Sequence, residues 1–167
     1  MEIYEKVPKE KLIEFSGEHL YYEIDMLYGV SQTLWDGTSN FYLYNALLES
    51  FVIHASIILD FFYRPQDNPD DAKAAHYMKD IKKWKAVLPR KTADLENFIK
   101  KRNKEVVHLS YRRLEVKPEE KRWRSPRITN QIKKLVDLFL NHADPELLHP
   151  KIYELRSHLY KPKYNRK

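Results

Sequence analysis

The sequence predicts an all-α fold, a helical bundle of about five to seven helices with two long central ones. Three observations carry that expectation. Only 3 glycines occur in 167 residues. The 9 prolines fall at segment edges. No run of alternating β-branched residues is bounded by turn signals. A chain of this length buries roughly two-thirds of the surface it would expose unfolded, so it can hold a core without staples. The absence of cysteine excludes disulfides, thiolate metal sites and cysteine nucleophiles, and makes a reducing cytoplasm the expected location. Residues 1–167 read as a single helical domain with no internal repeat and no Gly-rich phosphate loop.

The elements follow in order. The N-terminus is acidic and has no apolar run behind a basic start, so it reads as mature chain rather than a signal. A first helix is expected over residues 8–34, with Leu12, Phe15, Leu20, Ile24 and Leu27 at helical steps and Glu10, Glu14, Glu18 and Asp25 elsewhere. Asp36-Gly37-Thr38-Ser39-Asn40 ends it as a turn. The second helix, residues 41–62, is apolar nearly all round and should be the most buried. It has membrane-spanning length, but Asn45, Glu49, His54 and Asp60 would each be costly in lipid, which favours a soluble bundle with no membrane partner. Residues 64–71 form a loop, and shorter helices are expected over 72–78 and 80–87. Thr92 is a candidate N-cap for a long fourth helix reaching about Val116, with Leu95, Phe98, Ile99, Val106, Leu109 and Leu114 on its apolar side. Ser125-Pro126 reads as a capping hydroxyl followed by proline at the first helical position, opening a helix over residues 127–141. A last amphipathic segment is expected over 145–159, and the basic tail 160–167 is expected to fray.

The net charge of +6 is unevenly spread. Residues 1–78 carry 5 Lys/Arg against 13 Asp/Glu, residues 79–127 carry 17 against 7, and residues 128–167 carry 8 against 4. The segments therefore stand at −8, +10 and +4. Apart from a solvated surface without a partner, a basic middle fits a nucleic-acid footprint, because Lys and Arg gain by releasing phosphate counterions. It fits equally a homodimer in which one subunit's basic part meets the other's acidic part.

Helical geometry locates the polar residues. With Asn45 at zero, Glu49 falls at about 40°, Ser56 at about 20° and Asp60 at about 60°, a single stripe, while His54 points the opposite way. Carboxylates on such a helix need a hydrogen-bonded or cationic partner if buried. The fourth helix offers one: Arg102 and Asn103 lie within the arc of its apolar residues, and Lys101, Lys104, His108, Tyr111, Arg112 and Glu115 line the other side. A contact from Arg102 to Glu49 or Asp60 is the structural expectation.

The run Arg102-Asn103-Lys-Glu-Val-Val-His108, of form R-N-x4-H, resembles the signature of the HEPN superfamily (higher eukaryotes and prokaryotes nucleotide-binding domains). The setting is similar to an uncharacterised bacterial HEPN-like group: Asn45-Ala-Leu-Leu-Glu49-Ser-Phe-Val-Ile-His54, then Leu59-Asp60-Phe61-Phe62, then Leu109-Ser-Tyr111-Arg112 after the motif. The resemblance covers roughly residues 41–115. One departure is Ser56, where the related pattern has arginine after His-Ala. The resemblance implies a homodimer whose two motifs face each other across a cleft. It also implies either a metal-independent ribonuclease of toxin or antiviral type, with an antitoxin protein as partner, or a non-catalytic module that binds nucleotides or other proteins. Arg102, Asn103 and His108 would be catalytic, with Asn45, Glu49, Asp60, Lys104, Tyr111 and Arg112 in support. The residue types suit RNA cleavage by its own 2′-OH, which needs an acid and a base near neutral pKa and a cation for the phosphorane charge. An ideal helix separates Arg102 from His108 by about 120°, so joint action needs helix distortion or two subunits.

Other constellations are weaker. The seven histidines include no H-E-x-x-H pair, and His142-Ala-Asp144 with His149 lies in a proline-broken stretch, so neither a metal nor a cofactor is expected. Trp84 and Trp123 stand among basic residues, as base-stacking residues do, but read as core or capping residues. A sequence-specific DNA binder is disfavoured because the basic segment shows no helix-turn-helix arrangement.

Overall fold

The computed structural model describes residues 7–65, 68, 70–102, 111, 114 and 123–159. The described residues contain no strand. Helix α1 (Lys9–Phe15) runs through a π-helical turn, Ser16–Leu20, directly into α2 (Tyr21–Asp36). Gly37, at φ +83°, ends α2 in a conformation that glycine tolerates best. Asn40 then caps α3 (Phe41–Tyr63), its side chain accepting from the Leu43 N–H at 3.0 Å. A 3-10 turn, Ala74–Tyr77, leads to α4 (Ile81–Val87), which Asp80 caps through the Lys83 N–H at 3.0 Å. Helix α5 is described over Ala93–Arg102 and α6 spans Ser125–His142. Two further 3-10 turns, Pro145–Leu147 and Pro150–Glu154, precede α7 (Leu155–Leu159).

Helices α2 and α3 pack together as the centre of the bundle, α6 lies against both, and α5 touches α3 and α6. Their apolar stripes explain this. Helix α6 buries Ile128, Ile132, Leu135, Val136, Phe139 and Leu140, spaced by helical turns, against Ile24 and Leu27 of α2 and Ile58 and Leu59 of α3 in one continuous core. At one end, Phe61, Phe62, Tyr77, Trp84 and Phe139 meet in a largely edge-to-face aromatic cluster. Tyr77 is fully buried and donates its hydroxyl to the Leu12 carbonyl at 3.2 Å, tying the 3-10 turn to α1.

Several boundaries and faces differ from the sequence reading. The predicted first helix is a continuous helical run containing a π turn, in which Ser16 and Gly17 are buried beneath the His149 loop. Helix α3 has its predicted extent, but it is not buried all round: its buried positions begin at Phe51, and Phe41, Tyr42, Leu43, Tyr44, Ile53 and Ile57 are exposed. The predicted 72–78 helix shortens to a single 3-10 turn. Ser125 is the first residue of α6 rather than its cap; it is buried, and its carbonyl accepts from the Thr129 hydroxyl at 2.9 Å. The predicted 145–159 helix is broken, since Pro145 and Pro150 each restart the chain after a capping side chain, Asp144 and His149. Residues 103–110 and the tail 160–167 lie outside the described residues.

Candidate functional site

Arg102, at the last described turn of α5, reaches α3. Its Nη2 donates to both oxygens of Asp60, at 2.9 and 3.1 Å. The arginine side chain is 13% exposed and the aspartate 32%, so the pair sits at the edge of the core, where a charge-assisted bond is screened less than in bulk water. Arg102 Nη1 is buried and has no hydrogen-bond partner among the described residues. Phe98, one turn earlier in α5, packs edge-on against Phe51 of α3 and against Trp123, and Lys101 lies 4.4 Å above the Trp123 ring. These contacts fix the orientation of α5 on the central helix, and with it the place of Arg102.

The rest of the predicted stripe behaves differently. Asn45 is half-buried and donates to the Phe41 carbonyl of its own helix at 2.8 Å. Glu49 is exposed and needs no cation. Ser56 is half-buried and donates to the Val52 carbonyl. The stripe therefore faces outward over most of its length, and among the described residues only Asp60 pairs with a side chain of α5. Of the predicted residues the structure brings together Arg102 and Asp60. Tyr111 is exposed, while Asn103, Lys104, His108 and Arg112 lie outside the described residues.

Two arrangements have no signature in the sequence. His54, buried on the far side of α3, binds Glu23 of α2 through Nδ1 at 2.7 Å, with the Tyr22 ring edge-on at 5.8 Å. The helical wheel placed His54 away from the stripe correctly, but nothing in the sequence matched it to Glu23. The second is an open cavity of about 410 Å³ between the π turn and the His149 loop. Glu14, Glu18 and Asp25 line it beside Tyr21, over which Lys151 lies at 4.2 Å. Burial, with Asp25 and Glu154 nearby, raises the Tyr21 phenol above its ordinary range. Its far wall comes from more than a hundred residues along the chain, which periodicity cannot foresee. Trp84 is buried between Phe62 and Phe139, as a core residue. Among the described residues no group of three or more His, Asp or Glu is placed to hold a metal ion.

The chain matches no family model, no curated protein and no solved structure. Of the polar residues singled out in the sequence, Asp60 and Arg102 are the two that meet among the described residues. An arginine fixed by a carboxylate on a neighbouring helix is pre-oriented and its charge is partly offset.

Proposed function

We propose that this chain is a HEPN-like domain and a metal-independent endoribonuclease that acts as a homodimer through Arg102, Asn103 and His108. The observation that carries the proposal is the clasp of Arg102 by Asp60, which anchors the first residue of the R-N-x4-H run on the central helix. In this reading His108 transfers the proton, Arg102 offsets charge on the phosphorane, and Asn103 orients the reacting group. The second subunit supplies what the angle between Arg102 and His108 denies to a single helix.

A second reading has its own support. The Arg102 guanidinium is largely buried and Nη2 is committed to Asp60, as in a purely structural network, which suits a non-catalytic module that binds nucleotides or other proteins. Purified protein incubated with mixed RNA in chelator, beside His108→Ala, separates the two. The ribonuclease predicts cleavage that the variant loses while remaining folded. Absence of cleavage by the wild type, or equal cleavage by both, refutes it.

A further inference from the structure

The exposed basic segment before α5 has no role in the chemistry above. Residues 79–91 hold Lys79, Lys82, Lys83, Lys85, Arg90 and Lys91 against one acid, Asp80, and all seven are exposed. Burial of Trp84 in the aromatic cluster fixes the rotation of α4 and turns Lys82, Lys83 and Lys85 away from the core. Lys79 lies 3.3 Å from Asp144, and Lys83 only 3.9 Å from Asp80.

This segment adjoins the Arg102 pair. The Tyr63 hydroxyl donates to the Pro89 carbonyl at 3.0 Å, and Lys91 lies 5.5 Å from the centre of the Tyr63 ring. Tyr63 follows Asp60 by three residues on α3, about 4.5 Å along the helix axis and on nearly the same face. A basic surface therefore runs from α4 over the 88–91 connection to within a helical turn of Asp60 and Arg102. Burial pushes the Tyr63 phenol up to about 12, so it adds no negative charge there.

From this geometry we infer that Lys82, Lys83, Arg90 and Lys91 form a phosphate-backbone track that leads a single RNA strand towards Arg102. Lys82 and Lys83 stand on α4 while Arg90 and Lys91 lie beyond its end, so the charges are strung along the chain rather than gathered in one turn, which suits a repeating polyanion better than a small anion. Lysine point charges suit contacts that do not read sequence. The choice of RNA over other polyanions rests on the ribonuclease reading, while the location of the track rests on the contacts of Tyr63.

The test is anisotropy of a labelled oligouridylate with full-length protein in the His108→Ala background, across a salt series. Steep salt dependence is expected. Replacing Lys82, Lys83 and Arg90 together by alanine should lower the magnitude of the slope of log K against log salt by about 2, at roughly 0.7 per lost contact. Circular dichroism of the triple variant should be unchanged, since all three side chains are exposed. An unchanged slope, or no binding by the parent protein at low salt, overturns the track. So does a triple variant that loses self-association but keeps its RNA slope, which would give the surface to the acidic side of a second copy. If wild-type protein fails to cleave while the slopes still differ, the ribonuclease reading falls and the track stands. Cleavage with equal slopes means the reverse.

Discussion

Asp60 and Arg102 hold α3 to α5 through one guanidinium nitrogen, so removing either partner leaves a charge without its ion-pair partner among the described residues. Arg102→Ala is expected to cost about 3 kcal/mol, the low end for a buried pair because Asp60 is partly solvated. Asp60→Ala strands the more buried arginine and should cost at least as much. The double variant should lose less than the sum, and urea unfolding of the four proteins gives the coupling. This contact was legible in the sequence because both residues are polar intrusions on helical faces and only a few partners have opposite charge. The His54–Glu23 bond was not, because its pairing depends on the rotation of α2 relative to α3. A second residue-scale consequence concerns pH. Burial, with Lys73 nearby, lowers the His76 pKa below the ordinary 6.5, and Nδ1 accepts from the Lys73 N–H at 3.3 Å. Just below pH 6.5 the unfolded chain binds more protons than the folded one, so this residue's contribution to stability falls as pH drops through that window towards the folded pKa. His76→Gln should weaken the decline in unfolding free energy between about pH 7 and about pH 5, the range over which histidine titrates.

Elements were easier to place than the faces they present. Helix α3 and its Asn40 start follow from local signals that act within a few residues, whereas which part of α3 is covered depends on α2, α5 and α6 arriving from elsewhere. The helical wheel could assign residues to a side but not say which side would stay in water. Ile58 is fully buried and Ile53 is 51% exposed on the same helix, so Ile58→Ala should cost about 2–5 kcal/mol and Ile53→Ala within about 0.5 kcal/mol. The π turn is the other feature hidden from periodicity; it packs against a loop more than a hundred residues away, with the His149 N–H donating to Ser16 Oγ. A Cβ on Gly17 would lie 2.5 Å from Cγ of His149, while one on Gly29 would meet nothing within 4 Å. Two glycine-to-alanine changes in one helical run therefore have opposite signs. Gly29→Ala should stabilise by about 0.5–1 kcal/mol through helix propensity. Gly17→Ala should destabilise by about 1–3 kcal/mol, as overpacking does, unless the His149 loop undocks. Thermal melts of the two variants, with proteolysis after the His149 loop as a check on undocking, decide this.

At the scale of the molecule, all-α architecture was readable because scarce glycine, edge prolines and helical periodicity agree along the whole chain. What such agreement does not supply is the assembly, and two surface features bear on it with opposite consequences. One is the partition of charge, −8 over residues 1–78 against +10 over residues 79–127. A two-fold arrangement can satisfy both at once, since the acidic first part of one chain can meet the basic middle of the other. The other is the uncovered side of α3, where Tyr42, Ile53 and Ile57 share one face and are exposed. Association driven by charge weakens as salt shortens the Debye length from about 30 Å at 0.01 M to about 8 Å at physiological ionic strength. Association through an apolar face is little affected by such salt and strengthens with excluded salts such as sulfate. The charge partition spans most of the chain while the apolar face is interrupted by Glu49, so the Coulombic contribution is expected to dominate. Light scattering at micromolar protein should then give twice the 20.2 kDa of the chain at low salt, falling towards the monomer mass as sodium chloride is raised. A monomer at low salt counts against the homodimer, and a dimer whose mass ignores salt transfers its driving force from charge to the α3 face.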